Sequence, residues 1–172
     1  MSRFVSEIIW IGGRELEKED QFQQSFFERR GEVGGVLRIN MACWPQYVFG
    51  RAILPKYDAN LEFDNNERCF AELRVKFERK NYFFILEYWK EGESLTPLTE
   101  SVDRLAKNSA RAYLLVFSAN PSGQTEERLR LIDGLSGVGE RISMHRFRTK
   151  NTAGEDREFW IGGWHVASSG RP

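Results

Sequence analysis

Residues 70–77, FAELRVKF, alternate apolar and polar, with Ala71, Leu73, Val75 and Phe77 on one side and Glu72, Arg74 and Lys76 on the other. A period of two predicts a half-buried strand over 69–77. Residues 82–89, YFFILEYW, are apolar on both faces, which predicts a central strand covered from both sides. The polar residues 78–81 join the two as a β-hairpin. Upstream, 14–30 is polar and helix-forming, with Phe22, Phe26 and Phe27 on one side and Gly31 as its stop. Residues 36–41 and 47–54 read as short strands separated by a turn at 42–46, and 58–66 reads as a loop rich in Asp and Asn.

Downstream, Leu95, Leu98, Val102 and Leu105 recur at helical spacing, with Pro97 tolerable in the first turn. The buried strand that follows, 111–118, is reached by a helix of crossover length, so it is expected to lie parallel to a neighbour. A third, charged helix spans 122–132 and ends near Gly134. Two last strands, 142–148 and 158–166, flank a hydrophilic loop at 149–156. The tetrapeptide WIGG occurs at 10–13 and again at 160–163. Both copies read either as edge strands ending in a glycine bulge, adjacent in space, or as a coincidence of four residues.

Length and composition narrow the class. The 172 residues suit one domain with a real core, and thirteen Phe and five Trp place the chain among globular proteins. Basic and acidic residues balance at 25 each, which argues against a strongly basic nucleic-acid binder or a polybasic membrane binder and leaves room for a local patch. Cys43 and Cys69 each stand alone and read as buried thiols of a reducing compartment. No run approaches the length of a membrane span and no signal-peptide pattern opens the chain, so the expectation is a cytoplasmic protein.

The chemistry centres on Glu87, an acid inside an apolar strand, which costs free energy unless something pairs with it. A two-residue turn at 79–80 would set Glu72 opposite Glu87, and a turn at 80–81 would set Arg74 there. Either way Glu72 and Glu87 share a face. With Asp58 or Asp64 they form a carboxylate set of the kind that holds Mg²⁺, which can in turn hold a phosphodiester and activate water. The other reading is a cross-strand ion-pair ladder of Glu72, Arg74, Lys76 and Glu87.

The hairpin AELRVKFERKNYFFILEYWK, the helix LTESVDRLAKN and the strand ARAYLLVFS, in that order after a helix, resemble the core of the restriction-endonuclease-like superfamily, written PD-(D/E)XK. The resemblance is clearest over 70–118. It implies a central mixed β-sheet flanked by helices, an α+β arrangement with a nuclease-like core over about 14–118 and an added C-terminal helix and strands over 119–168. It also implies a nuclease site in which Glu72 and Glu87 bind Mg²⁺ and a lysine two positions after Glu87 assists the attacking water. That position holds Trp89, with Lys90 one place late. A bulge near Tyr88 would bring Lys90 round, and Lys76 or Arg74 could substitute from the next strand. The first acid is Glu where the family has Asp, and 97–102 lacks the Gln that many relatives carry in the following helix.

The remaining signals are weaker. Residues 134–139, GLSGVG, follow a helix and lack the Lys–Ser/Thr ending of a phosphate loop, so they read as a connecting loop. His145 and His165 sit in expected strands without cysteines at ligand spacing and read as structural. Arg146 and Arg148 lie in a basic stretch with Phe147 interleaved and join Arg74 and Lys76 as candidate nucleic-acid contacts. Three functions follow as expectations. One is a nuclease-like domain with an eroded site that binds DNA, RNA or a protein, in phage defence or DNA processing. The second is an active Mg²⁺-dependent nuclease using Glu72, Glu87 and Lys90. The third is an interaction subunit or homo-oligomer whose aromatics pack on a partner.

Overall fold

The computed structural model describes residues 2–23, 44–63, 70–108, 110–151 and 153–169. Among them the order is α1 (Ser2–Gln23), α2 (Trp44–Ile53), β1 (Asp58–Phe63), β2 (Phe70–Phe77), β3 (Lys80–Tyr88), α3 (Thr96–Ala106), β4 (Arg111–Pro121), α4 (Thr125–Asp133), β5 (Val138–Lys150) and β6 (Asp156–Val166). The six strands make one mixed sheet in the order β1-β2-β3-β4-β6-β5. β1, β2 and β3 form an antiparallel meander. The chain then crosses through α3 to lay β4 parallel to β3, as the crossover length predicted. β6 and β5 continue the sheet antiparallel.

The strand alternation builds two cores. Leu73, Val75, Phe84, Leu86, Leu115 and Phe117 meet Val5, Ile8, Leu16, Val48 and Phe49 from α1 and α2. On the other face Phe83, Ile85, Leu114, Val116 and Trp160 meet Leu98, Val102 and Leu105 of α3 and Leu129 and Ile132 of α4. β3 and β4 are therefore buried on both faces, which is why their sequences show no polar side. No helix among the described residues is long and apolar enough to cross a membrane.

Three expectations change. The first helix begins at Ser2, so the first WIGG is helical: Phe4, Val5, Ile8, Ile9 and Leu16 already carry a 3.6-residue period that the glycine pair disguises. Those glycines permit close packing, since a Cβ on Gly12 would lie 2.1 Å from the Phe49 ring and one on Gly13 would lie 2.6 Å from His145. The second WIGG lies in β6, between β4 and β5 and not at an edge. The two copies are still neighbours, because Gly163 sits beneath Ile9 of α1. Of residues 47–54, expected as a strand, 47–53 belong to helix α2, where burial of Trp44, Val48, Phe49 and Ile53 follows helical spacing and overrides the β-propensity of the aromatics. Residues 58–63, expected as a loop, form strand β1. The strand expected over 36–41, together with Phe26, Phe27, Cys43, Asp64 and Cys69, lies outside the described residues.

The hairpin turn also differs. Phe77 pairs with Lys80 across Glu78 and Arg79, both at positive φ, 49° and 61°. A slide of two residues preserves which side chains face which core, so alternation could not choose among the registers. Packing chooses: in the observed register Phe77 stacks on Phe4 of α1 at 4.3 Å and meets Tyr57 edge-on at 5.9 Å.

Candidate functional site

The observed register sets Glu87 opposite Phe70 on β2 and Val116 on β4, and Glu72 opposite Ile85 on β3 and Glu62 on β1. The two acids share the face that packs on α3, on a diagonal of about 7 Å. Glu87 is 2% exposed and Glu72 8%. A buried carboxylate needs donors, and α3 supplies them one turn apart. The Ser101 hydroxyl, itself buried in the stripe formed by Leu98, Val102 and Leu105, donates to Glu87 Oε1. Arg104, one turn on, forms an ion pair with Glu72 Oε1, though not in hydrogen-bond geometry. Arg74, two residues along β2, donates to Glu72 Oε2 at 3.3 Å and lies over the Phe83 ring at 4.3 Å. Arg104 likewise lies over Phe70, 5.3 Å from its centroid. The arrangement is a clamp that fixes α3 to the hairpin: Ser101 and Arg104 reach the two acids from the helix, and Arg74 pairs with Glu72 along its own strand.

At the position where the resemblance calls for lysine, Trp89 is 3% exposed and occupied with structure. Its indole N–H is shared between the carbonyls of Glu93 and Ser94, both at 3.1 Å. The Arg128 guanidinium of α4 covers the ring at 3.7 Å and donates to the carbonyls of Trp89 and Lys90 and to the Ser118 hydroxyl. Burial pushes the Arg128 guanidinium below the usual arginine range, against the opposing pull of Glu91, Tyr88 and Glu93. β3 runs without a register shift through Tyr88, and the Trp89 N–H still bonds the Phe117 carbonyl. No bulge turns Lys90 inward. Its side chain is exposed, and its backbone N–H donates to Glu93.

Asp58 is not brought to the acids. It pairs with Lys76, four residues beyond Glu72 along β2, or about 13 Å at strand rise. Of the two cations proposed to substitute in space, Arg74 reaches Glu72 and Lys76 lies at the far end with Asp58. Arg146 and Arg148 share the face of Arg74 and Lys76 but lie four strand spacings away, about 19 Å, beyond α3 and α4. Arg146 pairs with Glu126 at 3.3 Å and Glu158 at 3.8 Å, whereas Arg148 is exposed. His145 contacts Glu17 of α1 at 3.3 Å, and His165 meets the Tyr113 ring edge-on at 5.6 Å. Residues 134–139 cap α4 and turn into β5, with Gly137 at φ 84°.

A divalent cation takes several oxygen ligands and keeps part of its water shell. Two guanidiniums beside Glu72 supply the positive charge that such an ion would bring, and Glu87 is sealed beneath Ser101. Among the described residues no three His, Cys, Asp or Glu side chains are grouped to hold a metal. The residues as placed do not fit Mg²⁺. No family model, no curated protein and no solved structure matches the chain.

Ser101, Arg104 and Arg128 were missed from sequence. Ser101 had a legible signal, a single small polar residue inside the apolar stripe of α3. Arg104 and Arg128 had none, since an arginine on a charged helix reads as solvated until the strand beneath it is known.

Proposed function

We propose that the chain is a non-catalytic domain of nuclease-like chain order that binds nucleic acid. Its support is the order of helix, three-stranded antiparallel meander, crossover helix and parallel fourth strand, with two acids at the strand positions that the resemblance implied. The observation that carries the non-catalytic reading is Trp89, locked by the Glu93 and Ser94 carbonyls and by Arg128 where a nuclease would present lysine. The acids hold α3 in place and do not hold a metal. Arg74 and Lys76, exposed on the same face, provide the nucleic-acid contacts.

The test combines calorimetric titration with Mg²⁺ and Mn²⁺ and incubation with single- and double-stranded DNA and RNA. Binding of nucleic acid without metal uptake and without cleavage supports the proposal. Cleavage that is abolished by chelation and by Glu87→Gln overturns it in favour of an active nuclease. Absence of any nucleic-acid binding overturns it in favour of a protein-interaction subunit.

A further inference from the structure

Among the described residues, helices α3 and α4 cover the sheet from β3 to β6 and leave the outer part of that face open over β1 and β2. Register arranges the open part as a grid. Asp58, Lys76 and Asn81 form one row across the three strands, and Asn60, Arg74 and Phe83 form the next. Asn108, just past α3, walls the inner side. Together they line a groove of about 460 Å³, within the usual range for ligand sites.

The groove's chemistry is that of a planar anion carrier. Arg74 lies over Phe83, 4.3 Å from its centroid, and is tethered to Glu72, so its guanidinium is held in place before any ligand arrives. Its outer face is half exposed, with 52% of the side chain accessible. A guanidinium plane of this kind stacks an unpaired base. Asn60 donates to Glu62 Oε1 and Asn108 accepts from the Ala110 N–H, one bond each, so both amides keep further donor and acceptor capacity. Exposed Lys76, Arg79 and Lys107 surround this end of the sheet and outnumber Asp58 and Glu78, although the whole chain is neutral. We infer that this groove binds single-stranded nucleic acid, with one base stacked on Arg74, its edge read by the asparagines and its phosphates met by Lys76 and its neighbours. The inference rests on the nucleic-acid-binding reading above and adds the strand state and the site.

Fluorescence anisotropy with labelled 15-nucleotide DNA and RNA, single-stranded and duplex, tests it on the wild type and on Arg74→Ala and Arg74→Lys. The expected result is single strands bound at least tenfold more tightly than duplex, with Arg74→Ala weakening them about tenfold or more. Arg74→Lys, which keeps the charge and loses the plane, restores less than half of that loss. Arg74 is exposed and Glu72 keeps Arg104, so the variants fold, as circular dichroism will verify. Single-strand binding unchanged in Arg74→Ala overturns this site while leaving the domain a nucleic-acid binder. Equal affinity for duplex, or equal displacement by polyglutamate at matched charge, also overturns it. A wild type that binds no nucleic acid of either form overturns both the site and the broader reading.

Discussion

Removing the Ser101 hydroxyl tests the clamp at its most buried point. Ser101 is 4% exposed and Glu87 2%, so water cannot replace the bond that Ser101→Ala deletes. A hydrogen bond to a charged group contributes about 1.5–3 kcal/mol, and a neutral one about 0.5–1.5 kcal/mol. Alanine's better helix propensity returns up to about 0.5 kcal/mol. Ser101→Ala should therefore cost about 1–3 kcal/mol in the wild type and about 1 kcal/mol less in a Glu87→Gln background, where the acceptor is neutral. For a chain of this size the single variant should melt roughly 2–12 °C lower. Urea denaturation of the four proteins in this double-mutant cycle gives the coupling directly. A cost below about 0.5 kcal/mol, or the same cost in both backgrounds, would refute the assignment of Ser101 as the partner that stabilises the buried acid.

Three other outcomes follow from the packing and the turn. Gly163→Ala places a Cβ 2.4 Å from Ile9 Cδ1 and 3.0 Å from Leu115 Cδ2, and should cost about 1–3 kcal/mol; Ile9→Val, which removes Cδ1, should recover part of that loss in urea melts. Replacing Glu78–Arg79 by Asn–Gly suits the positive φ values better and should raise stability by about 0.5–1 kcal/mol, read as a higher denaturation midpoint with unchanged slope. His145 is held below its ordinary value chiefly by burial, with Glu17 pulling the other way and Arg14 adding to the depression. The unfolded chain then binds the proton more readily, so stability is full above about pH 6.5 and falls as the pH drops through the window beneath it. His145→Gln should flatten that fall between pH 7.5 and 5.5, and an unchanged slope would remove His145 as its source.

What was legible in the sequence tracks how local the determining force was. The hairpin, α3, β4, α4 and the last two strands follow from periodicity, because each side chain's face is set by its own backbone repeat. α2 was not legible, since WPQYVFGRAI carries strand-favouring residues and only its packing against α1, β2 and β3 makes it helical. The start of α1 was legible in Phe4, Val5, Ile8 and Ile9, but the glycines of WIGG concealed it. Glycine within a helix lowers propensity, and only the proximity of Phe49 and His145 shows why it is there.

For the candidate site the division is sharper. Sequence alone established that Glu72 and Glu87 share a face and that Trp89 stands where a nuclease resemblance requires lysine, because side-chain alternation survives any even slip in register. Tertiary structure decided the partners: Ser101 for Glu87, Arg74 and Arg104 for Glu72, and Arg128 over Trp89. Those pairings depend on how α3 and α4 lie across the sheet, and no periodicity within a single segment encodes the docking of one element on another. Among the described residues the same docking leaves the shelf over β1 and β2 open and turns Arg74 and Lys76 from two polar positions of a strand into the floor of a groove.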